Sequence, residues 1–469
     1  MANYRSQSGW FDIQFVQESV NLSHERQPKQ GGLKFTDLEY LQLQRNGAWE
    51  VLSQWGNSIL EGKEIVNLEF PIEFFEPRTV LERLVLGFCY APAFLSTIAR
   101  PVPPSGAQSA DELALQRFKS VIAFAFSGLH LSPTQRMPFN PVLGETFQAT
   151  LEDNTAVFVE QVSHHPPISR WEVSGPAGDY IFRGQVGWSV SGFGNSMKSQ
   201  QKGECSIEFT STGQKVTFDL PYVSIGGLLV GDRTFDFGGT MHFHDHANQL
   251  SCDLTFHPDS RSGLWRRLFR SNKTLRDVAR GVIVRGREEV CAVDGSWLSH
   301  LDIGAERFWE LGQQKPSSVF PVADPLPTDS RFREDVQALA EGDLERAEEL
   351  KTLTEEKQRY LRRVEQASGA SPQATSNALY EKAAPLSDSK HGADAKAFSR
   401  SNLLLHDLAP GSPSKRKSHV SLNSADDESF YDASETYGDS QQSSRRQSLE
   451  RSRLDSPSNR STSKSAVPH

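Results

Sequence analysis

The 469-residue sequence predicts a mainly β fold with flanking helices (β+α), followed by a long disordered tail. Three observations carry this. Between about residues 140 and 300, apolar and polar residues alternate in run after run, the period-2 pattern of half-buried strands. Segments of helical composition lie before and after that stretch. Past Ala367, serine becomes the commonest residue, aromatics nearly vanish and no apolar period persists. Such a segment cannot bury enough surface to offset its ordering entropy, so 367–469 is expected to be disordered.

Residues 1–48 carry no motif and are taken as an N-terminal extension. In WEVLSQWGNSIL (49–60), Val51, Leu52, Trp55 and Ile59 fall on one helical face. Two readings stand: an ordinary core helix, or a mobile flap whose apolar underside closes a greasy cavity. Gly56 lowers helix stability there by ~1 kcal/mol relative to Ala. RTVLERLVLGFCY and ADELALQRFKSVIAFAFSGLH make 78–130 helical. The runs TAVFVEQVS, DYIFRGQVGWSV, CSIEFT, KVTFDLPYV, TFDFGGTMHF and LSCDLTF follow, separated by turn clusters such as GPAGD and TSTGQ. Regularly spaced short strands of this kind build an antiparallel sheet or barrel. SRFREDVQALAEGDLERAEELKTLTEEKQRYLRRVEQ (330–366) is rich in helix formers but poor in apolar residues, so it packs by one face only.

Composition excludes several function classes. The net charge of −9 argues against an electrostatically driven nucleic-acid binder. Cys89, Cys205, Cys252 and Cys291 lie far apart with no CxxC pair, which excludes a cysteine zinc finger and suits the reducing cytosol. MANYRSQSGW has no apolar signal region, and the run VIAFAF (121–126) is far short of the ~20 residues a membrane span needs. The expectation is a soluble cytoplasmic protein.

Several clusters could carry chemistry. In Glu160-Gln161-Val162-Ser163-His164-His165-Pro166-Pro167, adjacent histidines on a regular strand would point to opposite faces. The two prolines remove ladder donors and force extended geometry before them, so the backbone can leave the strand and bring both imidazoles to one ligand. Near a dianionic phosphate both would be biased toward the charged form. A structural role for the pair stays open. Lys351, Glu355 and Arg359 are spaced by four and share a helix face, either as a solvated row of ion pairs or converging on one ligand. His242, His244 and His246 lie on one strand face but ~7 Å apart per step, too spread for one metal ion without a bend. Residues 261–287 hold nine basic residues against one acidic, with Trp265, Leu268 and Phe269 interleaved among Arg266, Arg267 and Arg270. That is either a basic surface loop or a docking patch for anionic lipid headgroups.

The octapeptide EQVSHHPP matches the fingerprint of the oxysterol-binding-protein-related family. MPFNPVLGET (137–146) is similar to that family's KPFNPLLGE segment, and FEPRTVLERL (75–84) resembles the stretch after the lid in its phosphatidylserine-transporting branch. GFGNS, LPYVSIGGLLVG, FDFGGT and GSW recur in order, so the resemblance covers about 49–366. It implies a lipid-transfer domain: a large incomplete antiparallel β-barrel around an apolar tunnel, an N-terminal lid at about 49–75 and a C-terminal helical subdomain. The tunnel would take one sterol or phospholipid, with Leu52, Trp55, Ile59, Phe70, Phe74 and Phe75 as lid and tunnel residues. The resemblance further implies a polar clamp for phosphatidylinositol 4-phosphate from Asn140, His164, His165, Lys351, Glu355 and Arg359. Met137 stands where the family has lysine, and a thioether cannot neutralise a phosphate. Adjacent Arg136 is the candidate substitute, although one peptide step aims it differently.

In the tail, DDESFYDASE (426–435) resembles the FFAT motif, which docks onto VAP-type receptors of the endoplasmic reticulum. Phe430, Tyr431, Asp432, Ala433 and Glu435 match its core. The sequence thus predicts a non-enzymatic carrier at endoplasmic reticulum contact sites. It would move a sterol or phosphatidylserine against phosphatidylinositol 4-phosphate, docking to membranes through 265–270, without cofactor, metal or nucleic acid. A lipid sensor without net transport is the alternative. A metal-dependent hydrolase lacks a nucleophile constellation.

Overall fold

The computed structural model describes residues 24–27, 29–55, 70–99, 109–164, 166–193, 195–257 and 275–368. At 48–55, 192–193, 361–362 and 364–368 it describes the backbone alone. The chain divides into Met1–Ser389 and Lys390–His469, and the second unit, with the 426–435 motif, lies outside the described residues.

The strands are, in chain order, β1 (His24–Arg26), β2 (Leu33–Phe35), β3 (Phe75–Thr79), β4 (Met137–Phe139), β5 (Thr146–Leu151), β6 (Ala156–His164), β7 (Pro167–Ser174), β8 (Tyr180–Phe193), β9 (Ser196–Lys202) and β10 (Glu204–Phe209). They continue as β11 (Gln214–Asp219), β12 (Tyr222–Gly226), β13 (Thr234–Gly238), β14 (Thr240–Asp245), β15 (Leu250–Phe256), β16 (Val278–Arg285), β17 (Glu288–Ser296), β18 (His300–Ile303), β19 (Glu306–Glu310) and β20 (Val319–Pro321). The helices are α1 (Leu38–Trp55), α2 (Val80–Leu86), α3 (Ala110–Ser127), α4 (Glu334–Glu341) and α5 (Leu344–Ser368).

Eighteen strands form one antiparallel sheet, and β3 and β4 form a separate parallel pair. The sheet branches at β8. The first half of β8 pairs with β10, and the path runs on through β11, β14, β15, β16, β17 and β18 to β19. Its second half pairs with β9, leading through β12, β13 and β2 to β1. On the other side β8 meets β7, then β6, β5 and β20. Among the described residues β1, β19 and β20 are each paired on one side only, so the barrel is incomplete. Alternation sets which face of the sheet turns inward. In β10, Cys205, Ile207 and Phe209 are buried while Glu204, Ser206 and Glu208 face outward.

Two runs that read as single strands are each two. Pro221 lacks a ladder donor and separates β11 from β12. Gly239, at φ +89°, turns the chain between β13 and β14. The helical stretch expected from residue 78 begins at Val80, because FEPRT is β3, paired with β4. The helix expected over 330–366 is broken at Gly342, whose φ of +84° ends α4 and starts α5 afresh. Helix α3 opens on a capping box, with Ser109 and Glu112 bonding each other's backbone N–H. Phe118, Val121, Ile122, Phe124 and Phe126 are buried around much of its circumference, and it packs against β11, β18 and β19.

The boundary read at residue 49 falls inside a continuous structure. The helix expected at 49–60 starts at Leu38, because Asp37 caps it by accepting from Tyr40 N at 3.0 Å. Upstream, β1 and β2 join the sheet through β13. Buried Asp277 fixes them. It accepts from Gly32 N at 3.0 Å and Arg26 Nε at 2.8 Å, and also from the Ser296 hydroxyl. Gly32 (φ +78°) leaves no room for a side chain beside Asp236.

Two of the buried acids have pKa values far above the usual carboxylate range. Burial pushes Glu82, on α2, up to about 8 against the opposing charge of Arg78, and pushes Glu160, on β6, up to about 7 against Arg170.

Two measurements follow. Asp277→Ala removes an ionic acceptor of several bonds, and urea unfolding should show a loss of about 3 kcal/mol, given ~1.5–3 kcal/mol per charged hydrogen bond. A loss under ~1 kcal/mol would leave the N-terminal strands without this anchor. For Glu82, the folded state keeps a proton that the unfolded chain releases above the usual carboxylate range. Its contribution is therefore complete at low pH and is lost as pH rises through about 8. Glu82→Gln should flatten the fall in stability between pH ~4.5 and ~8 by up to about 1.4 kcal/mol per pH unit. An unchanged pH profile would refute this assignment.

Candidate functional site

A cavity of about 1030 Å³ opens inside the barrel. This is at the upper end of the ~300–1,000 Å³ usual for small-molecule sites. Its inner wall is aromatic: Phe88, Phe124, Trp171, Phe182, Phe218 and Phe237 line it. The rings brace one another, with Phe88 edge-on to Phe182 at 5.2 Å, Phe124 edge-on to Phe182 at 5.3 Å and Phe218 facing Phe182 at 6.1 Å. Such a wall receives an apolar body and carries no charge.

The polar rim is assembled from three segments. The first is the loop 140–145 after β4. Its shape comes from Gly144, at φ +78°, and from Glu145, whose carboxylate accepts from Val142 N at 2.9 Å. Gly144 N donates to Gln161 O and Gln161 N to Glu145 O, each at 2.9 Å, which stitches the loop to the histidine-bearing strand. The second segment is the end of β6. The ladder shifts register between Gln161 and Ser163, and His164 is then paired with Pro167, so the chain leaves the regular strand at the prolines. The third is α5, where Lys351 Nζ lies 3.5 Å from Glu355 Oε1 and 3.4 Å from Glu348 Oε1, and Arg359 Nη2 lies 3.1 Å from Glu355 Oε2. Lys351 is buried and faces the Phe75 ring at 5.6 Å.

Arg333 ties these segments together. It donates to Asn140 O at 2.8 Å and Glu145 Oε2 at 3.0 Å, pairs with Asp335 at the start of α4, and lies over Phe139 at 5.5 Å. Burial alone would depress its pKa, but the Glu145 and Asp335 carboxylates outweigh that and hold it above the usual range. Gln358 on α5 accepts from Leu143 N at 3.3 Å.

Asn140, His164, Lys351, Glu355 and Arg359 all line the one cavity, as do Arg136, Met137, Phe70, Phe74 and Phe75. Arg136 is set apart from the α5 row: its guanidinium lies over the Tyr40 ring on α1 at 4.5 Å. His165 and Ile59 lie outside the described residues, as do Trp265, Arg266, Arg267, Phe269 and Arg270, and Phe430, Tyr431, Asp432, Ala433 and Glu435. Leu52 and Trp55 are described as backbone in α1 only. Sequence reasoning missed Gln44, Arg233, Arg333 and Gln358, all of which line the cavity. Gln358 adjoins Arg359 in the charged row and was within reach, whereas isolated Arg233 and Gln44 carry no motif. His242 pairs with Asp253 at 2.8 Å, and the rings of His244 and His246 stack at 5.7 Å. Among the described residues no group of three or more such side chains could hold a metal ion.

Arg333→Met keeps the bulk and removes the charge that Glu145 and Asp335 face. Breaking one side of a buried ion pair costs about 3–5 kcal/mol, the loss expected in urea unfolding. A loss below ~1 kcal/mol would show that the rim stands without it.

The family model described as "Oxysterol-binding protein" matches residues 52–397. Oxysterol-binding protein 9 of Dictyostelium discoideum is 37% identical over 347 residues, covering 70% of this chain and 78% of that protein. Oxysterol-binding protein-related protein 5 of Mus musculus is 26% identical over 339 residues, covering 68% of this chain and 36% of that relative's length. Among solved structures, the Osh1 ORD domain in complex with ergosterol superposes at a TM-score of 0.53 with 22% identity, covering 69% of this chain and 80% of that one. The Osh3 ORD in complex with PI(4)P from Saccharomyces cerevisiae gives 0.53 and 22%, covering 73% and 89%. These two likenesses concern the fold. The family model covers most of the chain, and the chain belongs to the oxysterol-binding protein family.

Proposed function

We propose that this chain is a non-enzymatic lipid carrier that holds one sterol or glycerophospholipid in the cavity and exchanges it for phosphatidylinositol 4-phosphate. The observation that carries the reading is a single cavity with an aromatic interior and a rim bearing Asn140, His164, Lys351, Glu355 and Arg359. Solved structures of similar fold hold ergosterol in one case and PI(4)P in another, which supports both ligand classes. A lipid leaving a bilayer already enjoys apolar surroundings, so the tunnel gains little by matching them, and selectivity falls to the rim. The proposed clamp is that rim, with His165 beside His164. In this reading 49–75 acts as a lid, the transfer domain runs to 366 and takes in β1 and β2, whose strands belong to its sheet, and 265–270 acts as a membrane patch. The tail 367–469 recruits a VAP-type receptor through 426–435. Phosphatidylserine belongs among the candidate cargoes because of FEPRTVLERL. Among the described residues no helix is long and apolar enough to cross a membrane. The proposed place of action is cytoplasmic and peripheral, at endoplasmic reticulum contact sites.

The purified chain, extracted and examined by mass spectrometry, should yield one lipid per molecule, displaced by phosphatidylinositol 4-phosphate. In His164→Ala/His165→Ala, displacement should need roughly tenfold or more phosphoinositide, given ~1.5–3 kcal/mol for each charged hydrogen bond lost. Displacement unchanged in that variant would remove the clamp from this position. No co-purifying or acquired lipid would refute the carrier reading itself.

A further inference from the structure

Among the described residues, two cations at the roof of the cavity have no counter-charge in ion-pair reach. Arg233, just before β13, is 8% exposed and lines the cavity. Its guanidinium donates to Gln44 Oε1 at 2.9 Å, Gly227 O at 3.3 Å and Leu228 O at 3.4 Å, all of them neutral acceptors. Arg136 also lines the cavity. It lies over the Tyr40 ring and donates to Glu73 O at 3.5 Å. Neither guanidinium has a carboxylate in ion-pair reach among the described residues.

Tyr40 and Gln44 are four apart on α1 and share one face, so one turn of one helix meets both cations. Tyr40 does not neutralise them, because burial pushes its phenol up to about 12. Burial, and then the neighbouring Arg45, push Arg233 down to about 10, which still leaves it charged at neutral pH. The opposite rim differs. There Lys351 and Arg359 share Glu355, and Lys351 has Glu348 as well. The unspent positive charge thus lies under α1 rather than along α5.

A buried charge without a counter-ion is costly, and an anion entering the cavity would relieve it. The aromatic floor cannot supply one, so the anion must arrive on a molecule whose remainder is apolar. We propose that Arg233 and Arg136 form an anion subsite beneath α1 that selects a glycerophospholipid, held through its phosphodiester, over a sterol. A phosphodiester offers charged acceptors to a guanidinium fork, whereas a sterol offers one neutral hydroxyl. The proposal rests on the lipid-carrier reading and makes it more specific.

The full chain would be loaded from vesicles holding equal amounts of phosphatidylserine and cholesterol, re-isolated, and its bound lipids quantified. Phosphatidylserine should predominate in the native chain. In Arg233→Gln the ratio of bound phosphatidylserine to cholesterol should fall about tenfold, while Arg233→Lys, which keeps the charge, should retain most of it. Inorganic phosphate, an anion without chains, should displace neither lipid. An unchanged ratio, an equal loss of both lipids, equal behaviour of the Gln and Lys variants, or displacement by phosphate alone would overturn the subsite. A native chain that takes cholesterol but no phosphatidylserine would overturn the subsite and leave the carrier standing. One that takes neither would overturn both.

Discussion

An apolar interior that the protein's own side chains do not pack is the constraint on which the rest of this structure depends. Side chains around a void lose dispersion contacts on one side, and most cores relax inward to recover them. Here the wall cannot relax, because its shape is set by backbone bonds of an 18-stranded sheet. Ladder bonds fix each strand against its neighbours, and the branching at β8 forces the two arms to curve apart. Interlocked rings add stiffness at the side-chain level, with Phe182 touching Phe88, Phe124, Trp171 and Phe218. A ligand body can therefore enter without rebuilding its host.

Charge is placed around that void with equal economy. Arg333 collects Glu145, Asp335 and the Asn140 carbonyl, so electrostatics adds to the backbone bonds that tie the rim loop to β6. The short β3–β4 pair does similar work. Glu76 on β3 receives Arg83 of α2 in a bidentate pair, and Arg83 also bonds Thr134 ahead of β4. Arg83 and Arg333 line the cavity with their charge already answered by Glu76, Glu145 and Asp335, whereas Arg136 and Arg233, which also line it, have no carboxylate in ion-pair reach among the described residues.

Legibility in the sequence followed the range of the interactions. Strands with strict alternation, such as β10 and β15, were readable because burial there is decided residue by residue. Runs spanning Pro221 and Gly239 were read as continuous because periodicity survives a turn that reverses direction. Asp37 is an ordinary cap signal before Leu38, Tyr40, Leu41 and Leu43, and it was within reach of the sequence. In the site, EQVSHHPP and the Lys351–Glu355–Arg359 row stood out because each is a local pattern of fixed spacing that the family resemblance picks out. Arg233 and Gln44 are 189 residues apart and meet only because β2 docks on β13, a pairing that no local pattern encodes.

Helix α1 then has a double allegiance. Its polar face is held by Gln44 on Arg233, by Gln44 Nε2 on Gln135 O at 2.8 Å, and by the Tyr40 ring under Arg136. Gly47 brings it so close to Phe74 that a Cβ would lie 2.4 Å from the ring. Phe74 belongs to the segment that packs on α4 and α5, and Ile72 N donates to Glu348 Oε2 at 2.9 Å. The roof and the α5 row are thus mechanically joined through residues 70–75. Glu348 joins that segment to the row, accepting from Ile72 N on one carboxylate oxygen and facing Lys351 Nζ with the other, so the end of the roof segment is anchored on the same residue that answers the buried lysine.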